Sequence, residues 1–99
     1  MIHNRTKNGD QSELKVRLRE LHDHLASTSS ISAEDKALLS SMVNGILQLT
    51  EDQQLTPEAA DEHNLRELFE QKSLIYEAQH PKLAFTLHEV LDILARMGI

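Results

Sequence analysis

Residues 14–25 read LKVRLRELHDHL. Leu14, Leu18, Leu21 and Leu25 recur at intervals of 4, 3 and 4, which brings them to one side of an α-helix as a narrow seam of the coiled-coil kind. No β-branched alternating run competes with this reading anywhere in the chain, and there are only 3 Gly and 2 Pro to interrupt helices. The fold class that follows is all-α. Upstream of the seam, Asp10 with Glu13 has the spacing of a capping box, so the first helix is expected over about 11–28. Residues 1–9 are polar and have nothing to bury, so they are expected to form a disordered tail.

Downstream, the serine cluster 27–30 breaks the pattern, and Ser32 offers an N-cap to a second helix over about 33–50 with Glu34 and Asp35 in its first turn. Leu38, Leu39, Met42, Val43, Ile46 and Leu47 give it a wide apolar stripe. Gly45 lies in mid-pattern, where glycine marks either a close helix contact or a weak point. Thr56-Pro57 is a helix start signal, and Leu65, Leu68, Phe69, Ile75 and Tyr76 carry a third helix over about 57–79, its seam interrupted by Lys72. His80-Pro81 ends it, because proline lacks an amide donor and disfavours the α region for the residue before it. A fourth helix over about 81–97 follows, with Gly98 placed to cap it. Residues 10–99 thus predict one domain of two helical hairpins, the first helix against the second and the third against the fourth, in a small bundle of about four helices.

The net charge of −6 is unevenly placed. Residues 51–80 hold eight acids and two bases and account for all of it, so nucleic acid is a disfavoured partner. The basic run Lys15, Arg17, Arg19 reads as a solvated helix face. Cysteine is absent, which excludes disulfides, thiolate metal sites and thiol nucleophiles. No secretory h-region opens the sequence and no apolar run is long enough to span a bilayer, so a cytoplasmic protein without membrane insertion is expected.

Chemistry-bearing motifs are few. Glu77 and His80, at i, i+3, match half of the Glu-x-x-His pattern of carboxylate-bridged metal bundles. A whole site needs a second copy of that motif and further inward carboxylates, so the pair reads first as a helix joint. His22 and His24 lie on different helical faces and do not chelate together. No phosphate loop or nucleophile elbow is present. Neither catalytic residues nor a cofactor are expected, and the chain reads as non-enzymatic.

The ending YEAQHPKLAFTLHEVLDILARMGI, residues 76–99, resembles that of a small bacterial helical family labelled a domain of unknown function, of the 4404 type. In that pattern an aromatic-Glu-Ala run precedes His-Pro, a leucine-rich helix follows and Gly-Ile closes; here these are Tyr76, Glu77, Ala78, His80, Pro81, Gly98 and Ile99. Tyr76 stands where Phe is more usual. The resemblance implies no activity, cofactor or catalytic residue.

The function expected is therefore that of an interaction or scaffold protein working through apolar helix faces. An adaptor docking a basic partner through the acidic third helix is the alternative, and a carboxylate/His metal-binding bundle the third reading. The last helix has apolar side chains at ten positions between 83 and 97, wide enough for burial on two sides. Self-association, as a homodimer or higher, is expected there through Phe85, Leu87, Val90, Leu91, Leu94 and Met97.

Overall fold

The computed structural model of the chain describes residues 2–62 and 64–99, with side chains from Gly9 onward. Among these residues there are five helices and no strand: α1 (Ile2–Ser27), α2 (Ala33–Glu51), α3 (Pro57–Glu62), α4 (Leu65–Tyr76) and α5 (Pro81–Arg96). Helix α1 is continuous from Ile2, so Asp10 stands inside a helix and is not its cap. The tail expected over 1–9 falls in part outside the described residues, and its backbone is already helical at Ile2. The whole molecule measures 45 × 24 × 19 Å. At about 1.5 Å per residue, α1 alone supplies most of the long axis.

Local chemistry sets the helix ends. Ser32 accepts the Asp35 amide at 3.1 Å, and Glu34 and Asp35 occupy the positive end of α2. Thr56 accepts the Ala59 amide at 3.1 Å ahead of Pro57. Gly98, at φ +83°, lets the chain fold back so that the Ile99 amide reaches the Leu94 carbonyl at 2.8 Å. The third helix expected over 57–79 is divided: Asn64 takes a left-handed conformation, φ 52°, between α3 and α4, and α4 ends at Tyr76. Asparagine tolerates that conformation better than most residues.

Packing makes α1 and α5 neighbours, with α2 against α1 and α4 against α5. Arg96 at the end of α5 reaches Glu13, midway along α1, at 3.0 Å, and Glu89, earlier in α5, is reached by Arg17, later in α1, at 3.3 Å, so α1 and α5 run antiparallel. Asp35 at the start of α2 meets Lys72 and Tyr76 at the end of α4, so these two also run antiparallel. The result is an up-down-up-down bundle with α3 as a short lead into α4. The all-α class and the small bundle expected from the periodicity are present.

The seam leucines Leu14, Leu18, Leu21 and Leu25 are fully buried, facing Leu39, Val43, Ile46, Phe69, Leu87, Val90 and Leu94. Burying each such side chain stabilises the fold by about 1.5–3 kcal/mol before conformational entropy is counted. The double width of α5 is used within the chain, one side by α1 and the other by α4. Thr50, Ser73 and Thr86 are buried without cost to the bundle because each hydroxyl donates to a carbonyl three or four residues back on its own helix.

Candidate functional site

The start of α2 and the end of α4 meet at Asp35. Its Oδ1 accepts from Lys72 Nζ at 3.0 Å and its Oδ2 from the Tyr76 hydroxyl at 3.0 Å. The Tyr76 ring meets the His80 ring edge-on at 5.8 Å, and Ser30 Oγ lies 3.5 Å from His80 Nε2. The two hydrogen bonds, from Lys72 first and then Tyr76, hold the Asp35 carboxyl below its ordinary 3.8. Burial, followed by the hydrogen bond to Asp35, pushes the Tyr76 phenol up to about 12. The network therefore carries a fixed carboxylate and a fixed neutral phenol at neutral pH. It latches the start of α2 to the end of α4.

Beyond the latch the two helices part. A groove of about 490 Å³ opens between them, with Leu38, Met42, Ile46 and Leu49 of α2 on one wall and Leu65 and Leu68 of α4 on the other. Leu38 is 42 % exposed despite lying in the wide apolar stripe of its helix. Ser41 and Gly45, one turn apart, form the low part of the α2 wall. Apart from the groove, on the other face of α4, Asp61, Glu67, Glu70 and Arg66 surround a shallow polar hollow at the α3–α4 corner.

The residues singled out in the sequence are distributed differently. Glu77 is exposed at the C-terminus of α4, while His80 turns toward Tyr76 and Ser30. Among the described residues no group of three or more His, Asp or Glu side chains gathers that could hold a metal ion. His80 does not cap α5 through its ring; its carbonyl accepts the Ala84 amide at 3.0 Å and its amide donates to the Tyr76 carbonyl at 2.7 Å. Of the α5 residues expected to form an interface, Leu87, Val90 and Leu94 are buried inside the chain, Leu91 and Met97 are half-buried, and Phe85 is 64 % exposed. Phe85 sits in a second, more open hollow with Arg17, His24 and Lys82. Sequence reading missed the latch because Lys72 and Tyr76 lie 37 and 41 residues beyond Asp35 and each had a local explanation. The one signal was Lys72, a charge inside an apolar seam.

Latch and groove together define a class: a small four-helix bundle closed along three of its seams and open along part of the fourth. Compared with known families, residues 14–99 match the one described as a domain of unknown function (DUF4404), and the chain belongs to it. No curated protein and no solved structure matches the chain. Among the described residues no helix is long and apolar enough to cross a membrane.

Proposed function

We propose that the protein is a non-enzymatic interaction protein whose working surface is the α2/α4 groove. The observation that carries this reading is the groove itself, an apolar recess left open between two helices that are tied together at one end. Contiguous accessible apolar surface on a small protein marks interaction sites. The latch itself reads as a structural tie and not as an acid–base centre. A carboxyl held low and a phenol held high are both moved away from the range in which acid–base catalysis operates near neutral pH.

The reading is tested by recovering the protein from a native lysate beside a Leu68→Asp variant with unchanged helicity. A stoichiometric protein retained by the parent and lost by the variant is expected. Equal retention, or none by the parent, contradicts the proposal. Self-association through α5 is a second reading, favoured by the exposure of Phe85. Sedimentation equilibrium decides it: a dimer that Phe85→Asp converts to monomer supports it, and a monomeric parent at tens of micromolar removes it.

A further inference from the structure

The seams of the bundle are not fastened alike. Ion pairs join α1 to α5 at two levels, Arg17 with Glu89 and Arg96 with Glu13, and α5 has α4 along its other side. The backbone of α2 runs closely along α1 only. Among the described residues, Asp35 is the one side chain of α2 that forms a hydrogen bond or ion pair with another helix, through Lys72 and Tyr76. That tie lies in the first turn of α2. From Leu38 to Leu49 the helix continues for about three turns beside the groove with no further polar tie to α4. Connections outside any helix, 28–32 and 52–56, flank α2, so a shift of this helix can be absorbed there without bending α1 or α3. An element with few packed neighbours opens at a lower free energy than the common core. Its buried face, Leu39, Val43 and Ile46, draws it shut again.

We propose that α2 is a strap that opens from α4 as a unit while α1, α4 and α5 stay packed, and that the latch of Asp35, Lys72 and Tyr76 is its clasp. Opening the clasp widens the groove. As regulation of the groove, the device rests on the interaction reading above.

The chain has no cysteine, so one introduced thiol reports a single position of the full-length protein. Val43 on α2 and Val90 on α5 are both fully buried, and Val43→Cys and Val90→Cys are modified by an aromatic disulfide reagent only when their surroundings open. Without denaturant, Val43→Cys is expected to react at least about tenfold faster than Val90→Cys. Its rate should hardly change in low urea, whereas that of Val90→Cys should climb steeply, because a local opening exposes less surface than unfolding does. Lys72→Met combined with Tyr76→Phe changes α4 alone, yet it should speed the reaction at position 43 by about tenfold. Tyr76→Phe by itself removes one hydroxyl and should give a smaller increase in the same direction, which is readable even where the double variant does not fold. Equal rates with equal urea dependence at positions 43 and 90 overturn the strap, since α2 then opens only with the whole chain. A reaction at position 43 that ignores the α4 variants overturns the clasp. These rates are read without any partner, and the Leu68→Asp recovery decides the interaction reading separately.

Discussion

Asp35 accepts from two residues of α4 at 3.0 Å each, and the consequences can be read from the only tyrosine in the chain. Ultraviolet titration should place the Tyr76 midpoint at about 12 in the folded protein. In Asp35→Asn it should fall toward the ordinary 10.0, because the carboxylate no longer opposes the phenolate. An unchanged midpoint would mean that burial alone holds the phenol up. The same shifts fix the pH dependence of stability. Asp35 has a depressed folded pKa, so its contribution is present above its unfolded pKa and is lost as pH falls through the folded value, below 3.8. Tyr76 has a raised folded pKa, so its contribution is complete below 10.0 and is lost as pH rises toward about 12. Denaturant melts of Asp35→Asn should thus be flatter than the parent's at both extremes. Gly45 supplies a second test at this scale. Gly45→Ala should stabilise the protein by about 1 kcal/mol, since alanine is the better helix former and its methyl meets open space. A loss of stability on thermal melting would show that the glycine serves the fold.

Helices α3 and α4 show what a one-dimensional period can and cannot reveal. The apolar spacing of Leu65, Phe69 and Tyr76 was legible, and so was the polar character of the segment before Leu65. The break was not, because Asn64 is left-handed at φ 52° without a glycine or proline beside it to announce the turn. Asn64→Gly should be neutral or stabilising, while Asn64→Ala should cost about 1 kcal/mol, the left-handed penalty of an ordinary side chain; equal melts for the two would contradict a strained turn. At the next junction the sequence carried its own marker. Pro81 occupies the first turn of α5, where its missing amide removes no bond. The His80 ring caps nothing, so His80→Ala should cost no more than about 1 kcal/mol, the loss of its edge contact with Tyr76. A greater loss in a denaturant melt would assign it a role the geometry does not explain. The latch lay beyond such reasoning altogether: a capping-region acid, a seam-breaking lysine and a seam tyrosine become partners only when α2 and α4 pack.

Across the whole molecule, the two phenylalanines separate fold from surface. Phe69 is fully buried in the common core, and Phe69→Ala should cost about 3–5 kcal/mol. Phe85 stands exposed on α5, and Phe85→Ala should stay within about 0.5 kcal/mol of the parent. The ten apolar positions of the last helix were a sound signal of two-sided burial. The covering surfaces proved to be α1 and α4 of the same chain, because the up-down-up-down arrangement sets α5 between them. The same arrangement leaves a groove on the opposite seam, where Asp35, Lys72 and Tyr76 fasten α2 to α4 and the two helices part beyond them. Photo-cross-linking in living cells from an unnatural residue at Ser41, in the groove, beside the same residue at exposed Ala26 on α1, tests that surface most directly. A discrete protein adduct formed from position 41 and not from position 26 is the predicted result. An adduct from position 26 alone, or none from either, would contradict the groove as the working surface of the protein.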